Sequence, residues 1–136
     1  MSLQAAVLFA MLAAAVAPTS VEGRWRTPDY DGEVRLQRCG GDLCGRLVTS
    51  TLIAANPDLR DLKNADPSLR GRPLKGLEFV TGLQGGPGVW TDGTVYNPDD
   101  GRTYSAELRL IDADHVQLRG CVVFPLCKTE IWNRIP

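Results

Sequence analysis

The sequence predicts an all-β protein, a small antiparallel barrel or sandwich of about eight strands, on three observations. Short runs that alternate polar and apolar residues recur along the chain. Turn signals built from Gly, Pro, Asn and Asp separate them at intervals of about 8 to 12 residues. No long stretch of the chain beyond its first residues repeats apolar positions at helical spacing.

The clearest hairpin is Tyr96 to Tyr104. Its centre, Asn97-Pro98-Asp99-Asp100-Gly101, combines a proline that sets φ for a turn, aspartates that bond back to the backbone, and a glycine that accepts positive φ. Adjacent acids in such a place serve the turn more often than they form a catalytic or calcium-binding pair.

Taken in order, Ala5 to Ala17 is a nearly unbroken apolar run. It fits the hydrophobic region of a secretory signal and is too short to span a bilayer. We read residues 1–22 as an export signal with cleavage between 17 and 23, although Met1-Ser2-Leu3-Gln4 carries no Lys or Arg. Residues 23–136 then form one β domain, periplasmic or secreted, with no membrane span in the mature protein. All 15 Lys and Arg lie beyond residue 23, and the net charge is −1, or zero if cleavage removes Glu22. A neutral surface of interspersed signs has no field for a phosphate backbone, so the sequence argues against nucleic-acid binding.

Gly23-Arg24-Trp25-Arg26 reads as a short opening strand, ended by turn chemistry from Thr27 to Gly32. Glu33 to Arg38 alternates with period two, Cys39 to Cys44 folds it back, and Gly45 to Thr49 returns. The excursion from about Ala54 to Pro73 is the least strand-like part. Asn56-Pro57 and Asp66-Pro67 each offer an N-cap followed by proline, which predicts one or two single-turn helices in this long loop. Strands resume at Gly76 to Val80 and Val89 to Thr91, with turns expected at Gly82 to Gly88 and at Asp92-Gly93. Tyr104, Ala106, Leu108 and Leu110 share one face of the next strand. His115 to Gly120 alternates again, and Lys128 to Arg134 closes the chain.

Cys39, Cys44, Cys121 and Cys127 are an even set in a chain read as exported, which favours disulfides. Four cysteines allow three connectivities, and local spacing favours Cys39 with Cys44 and Cys121 with Cys127. The gaps fit neither a Cys-x2-Cys zinc knuckle nor a redox-active Cys-x-x-Cys, so neither a metal nor another cofactor is expected.

Two resemblances follow. Gly23-x-Trp25 on the first strand and Arg134 on the last resemble the lipocalin and wider calycin pattern, which implies a barrel closed at one end by Trp25 beneath Arg134. A second set covers nearly the whole of residues 23–136: Gly23-Arg24-Trp25-Arg26-Thr27-Pro28, Arg38-Cys39-Gly40 with Leu43-Cys44-Gly45-Arg46, Lys63-Asn64-Ala65-Asp66-Pro67, Arg70-Gly71-Arg72-Pro73-Leu74, Tyr96 to Tyr104, Leu118-Arg119-Gly120 and Trp132-x-Arg134. Together these resemble the small exported bacterial proteins of domain of unknown function 2147. That resemblance implies a compact secreted β fold and brings no catalytic residues with it.

No enzyme signature appears. His115 is the lone histidine, on the polar face of its strand, and Ser105 faces outward on another strand without a Gly-x-Ser-x-Gly elbow. Candidate ligand-binding residues are Asn64, Arg70 and Arg72 on the long loop, whose guanidinium forks suit a carboxylate or phosphate head group, and Trp90, Tyr96 and Tyr104 as a possible ligand wall. The bland counterpart is that the arginines pair with Asp58, Asp61 or Asp66 to pin the loop, and that the aromatics are core. The expected function is a non-enzymatic lipocalin-like barrel that binds a small apolar or amphipathic molecule. Its alternative is an envelope structural or protein-interaction module with a filled barrel and no specified partner.

Overall fold

The computed structural model describes residues 5–6 and 20–136. The apolar run read as an export signal therefore lies outside the described residues, apart from Ala5 and Ala6. Eight antiparallel strands, each paired with the next in sequence, close into one barrel. They are β1 (Gly23–Arg26), β2 (Glu33–Cys39), β3 (Asp42–Thr49), β4 (Glu78–Gly85), β5 (Val89–Asn97), β6 (Arg102–Asp112), β7 (His115–Val123) and β8 (Leu126–Arg134). The ring closes where Trp25 of β1 faces Arg134 of β8 and Arg26 faces Asn133. No described helix is long and apolar enough to cross a membrane.

Alternation decides which side chains point inward. Along β6, Ala106 and Leu108 are buried while Thr103, Ser105, Glu107 and Arg109 are exposed. A one-residue slip would turn that whole set around, so the pattern pins the register.

At three places the local signals were placed differently by the fold. Asp92-Gly93 is a bulge inside a continuous β5 and not a turn, with Asp92 at φ 61° and the register shifting between Trp90 and Gly93. Bulge and turn ask for the same residues, because both need a backbone with positive φ. Gly82 likewise takes φ 70° within β4 and the chain turns only after Gly85. The first helical turn, α1 (Thr51–Ala55), precedes Asn56-Pro57: Ser50 caps it by accepting from the Ile53 amide at 3.1 Å, and Asn56 ends it. The second turn does start at Asp66, whose carboxylate accepts from the Ser68 amide at 2.9 Å ahead of a 3-10 turn at Pro67–Leu69.

Two disulfides staple the wall. Cys121 faces Cys127 across β7 and β8 and is bonded to it. Cys39 faces Asp42 and Cys44 faces Gln37, so the Cys39–Cys44 bond runs diagonally over the two-residue Gly40-Gly41 turn, spanning 5.8 Å between Cα atoms. That distance lies within the range a disulfide bridges.

One end of the barrel is shut. Trp25 is fully buried there and its indole N–H donates to the Val21 carbonyl at 2.9 Å. Arg134 lies over the indole and ties together the segment before β1 and the β6–β7 turn, donating to the carbonyls of Ser20, Glu22 and Ala113. A side chain at residue 23 would stand 2.9 Å from the guanidinium, so only glycine leaves the arginine its place. Trp90 packs at the same end, with Gly86 close against its ring and Arg38 stacked 4.8 Å from the ring centre.

Candidate functional site

The opposite end is open and leads into a cavity of about 600 Å³. Its mouth is framed by the Thr27–Gly32 turn, α1, the β5–β6 turn at Pro98–Asp100, and the β7–β8 hairpin tip. Its walls are inward positions of the strands, including Val34, Leu47, Phe79, Val95 and Leu118, with Trp132 toward the closed end. Leu59 and Leu74 of the long loop add to the apolar lining. The hairpin tip that follows the Cys121–Cys127 staple carries a run of exposed apolar side chains, Val122, Val123, Phe124 and Leu126, with Phe124 74% exposed.

One strand brings polar chemistry inside. The inner face of β8 reads Trp132, Glu130, Lys128 from the depth toward the mouth, opposite Val116, Leu118 and Gly120 of β7. The Trp132 indole N–H donates to Glu130 Oε2 at 3.1 Å. Lys128 Nζ stands 3.5 Å from Glu130 Oε1 and 3.7 Å from Asp29 Oδ2, so a single ammonium bridges two carboxylates. Burial pushes the Glu130 carboxyl above its usual 4.5. The Asp29 carboxyl beside it adds to that push, against the indole hydrogen bond and the Lys128 charge. Asp29 and then Glu130 hold the Lys128 ammonium above its usual value.

A second polar cluster lies outside the barrel wall, under the long loop. Asp61, only 1% exposed, accepts from the Tyr96 hydroxyl at 2.5 Å, Asn64 Nδ2 at 2.9 Å and Arg72 Nε at 2.8 Å. Burial by itself would raise this carboxyl; the three donors and the Arg72 charge outweigh it and hold it below its usual 3.8. Tyr96 is pushed up to about 12, by burial first and then by the Asp61 hydrogen bond and charge. Arg72 also stacks on the Tyr96 ring, and Arg70 Nε donates to the Asn64 carbonyl at 2.8 Å. A buried carboxylate with three donors is a satisfied structural group, and it anchors the loop to β5.

The expected ligand residues thus separate. Asn64, Arg70 and Arg72 are brought together as the loop's anchor and do not line the cavity: Asn64 Nδ2 and Arg72 Nε donate to Asp61, and Arg70 Nε donates to the Asn64 carbonyl. Trp90 is also absent from the lining, because it stands at the start of β5, at the closed end. Tyr96 reaches the rim with its hydroxyl committed to Asp61, and Tyr104 lines the cavity with its hydroxyl bonded to Asp100. Asp99 and Asp100 sit in the turn: the Asp99 amide bonds to Asn97 Oδ1 and the Arg102 amide to Asp100 Oδ1, each at 2.9 Å. His115 pairs with Asp112 at 2.8 Å on the surface, and the Ser105 hydroxyl donates to the Cys121 carbonyl, so these three form no nucleophilic unit. Sequence reasoning missed Asp29, Lys128 and Glu130. The available signal was the alternation of β8, which puts Lys128 and Glu130 on the same face as Trp132 and Arg134.

An eight-stranded up-and-down barrel, shut at one end by an indole under an arginine and open at the other into an apolar cavity, is a lipocalin-like barrel. Residues 23–134 match the bacterial family described as uncharacterized protein conserved in bacteria, domain of unknown function 2147, and the chain belongs to that family. Among solved structures it is similar to protein HP1028 from the human pathogen Helicobacter pylori, described as belonging to the lipocalin family. The TM-score is 0.78 at 21% identity, over 87% of this chain and 84% of that one, so the likeness is one of fold. No curated protein matches the chain.

Proposed function

We propose that the protein is an exported, non-enzymatic barrel that carries or senses a small apolar or amphipathic molecule held in its cavity. The observation that carries this reading is the cavity itself: about 600 Å³, apolar-walled and open at one end only. Ligand sites of small-molecule binding proteins commonly run from about 300 to 1,000 Å³, with few polar groups to set orientation. A filled barrel would have favoured a purely structural role. Export is supported by the apolar run from Ala5 to Ala17 and by two disulfides, which persist in oxidising compartments.

The test is native purification from the exported fraction, solvent extraction and mass spectrometry. A stoichiometric apolar or amphipathic compound is expected. A reproducibly empty barrel that also takes up no alkyl probe would overturn the reading. The exposed tip from Val122 to Leu126 favours a second reading, an envelope interaction module, because apolar patches of this kind commonly mark contact sites. Under that reading, exchanging Phe124 for Ser would abolish the protein's envelope role while leaving the cavity's contents unchanged.

A further inference from the structure

We infer that the cavity selects amphipathic molecules whose polar end is a cationic amine, seated between Glu130 and Asp29 in the place now held by the Lys128 ammonium. The inference rests on the carrier reading above and specifies its ligand class.

Two carboxylates flank one ammonium at this point, so the trio carries an excess negative charge at the boundary between apolar interior and open mouth. The remaining side chains of the lining that carry charge at neutral pH, Asp99 and Asp100, are also acidic. A carboxylate or phosphate head group would bring a third anion against Asp29 and Glu130. An uncharged head group would gain little from either. An amine satisfies both carboxylates at once, while its apolar body lies along Leu118, Phe79 and Trp132.

Glu130 is well placed to recognise such a group. It is mostly buried, and one of its oxygens is oriented by the Trp132 N–H, leaving the other toward Lys128. Charge-assisted hydrogen bonds gain strength where water is excluded. Lys128 is the replaceable partner: its side chain is 76% exposed, and moving its ammonium into water costs little. The cavity thus already contains the counter-ion geometry that an incoming amine needs.

The experiment is calorimetric titration of the disulfide-intact protein, after delipidation, with decylamine, decanol and decanoate below their aggregation limits. Decylamine is expected to bind about tenfold tighter than decanol, with decanoate weakest. Glu130→Gln should reduce that preference to near unity, Asp29→Asn should reduce it partly, and Lys128→Met should increase it. Decanol binding with no preference for the amine, a preference for decanoate, or a preference unmoved by both carboxylate variants would overturn this inference and leave the carrier reading standing. If none of the three compounds binds, the carrier reading itself fails. Asp29 lies at the exposed rim, so Asp29→Asn gives a second arm of the test that leaves the buried Glu130 in place.

Discussion

The guanidinium carbon of Arg134 lies 4.2 Å from the centre of the Trp25 ring, and the two residues are also direct partners in the pairing of β8 with β1. The first and last strands are therefore joined by backbone and by side chain at the same point. The arginine fork extends that join to the carbonyls of Ser20, Glu22 and Ala113.

Removing either partner should open the closed end. Trp25→Ala is expected to cost about 3 to 5 kcal/mol, the usual penalty for deleting a fully buried aromatic. Arg134→Lys should recover only part of the loss of Arg134→Ala, because an ammonium keeps the charge without the planar fork. Urea unfolding measures both. An unchanged midpoint for Trp25→Ala would refute the closing role.

The loop anchor should be pH-sensitive in both directions. Asp61 titrates lower in the folded protein than its usual 3.8, so its contribution is present at neutral pH and is lost as pH falls through the folded value. Tyr96 is raised to about 12, so its contribution is whole below the usual 10 and is lost as pH rises through 12. Tyr96→Phe leaves a buried carboxylate one donor short and should destabilise by about 1 to 3 kcal/mol. Hydrogen exchange is the closer probe: the amides of Asp61 and Asn64, which bond within the loop, should lose protection while those of β6 keep theirs.

Glu130 should oppose stability at neutral pH. Its carboxyl is raised in the folded state, so its favourable contribution is complete below the usual 4.5 and disappears as pH rises through the folded value. Glu130→Gln is accordingly expected to melt higher than the wild type at pH 7, with the gap closing below about pH 4. Thermal melts across that range read it directly, and a lower melting temperature at pH 7 would contradict the assignment.

Gly101→Ala should loosen the junction of hairpin and loop. Gly101 takes φ 73°, and a Cβ there would collide with the Lys63 carbonyl oxygen. Backbone strain of this kind costs on the order of 1 to 3 kcal/mol before the collision is counted. The loss should appear as a lower melting temperature together with faster exchange at Asn64.

The disulfides can be checked by peptide mapping without reduction, which should give Cys39 with Cys44 and Cys121 with Cys127. Each closes a short loop, and replacing either pair by alanine should cost about 2 kcal/mol on the chain-entropy account.

Much of this molecule was legible in one dimension. The alternation along β6 and β7, the turn chemistry of Asn97 to Gly101, the Asp66 cap and the local pairing of cysteines all act between neighbours, and local physics decides them. Gly23, Trp25 and Arg134 were legible only through their resemblance to the lipocalin pattern, since 109 positions separate the last two and no local rule joins them.

What the tertiary structure alone decided is where each polar group spends its bonds. Asn64, Arg70, Arg72 and Tyr96 look like ligand contacts in sequence, yet the fold brings Asp61 against Asn64, Arg72 and Tyr96, each of which donates to it, and turns Arg70 Nε to the Asn64 carbonyl. Asp29 and Glu130 look like ordinary acids in a turn and a strand, yet curvature of the closed sheet brings them to one ammonium at the mouth of the cavity. Strand identity follows from period-two burial, which each segment carries by itself. The cavity and its charges exist only once β8 meets β1, because an interior is a property of the closed ring.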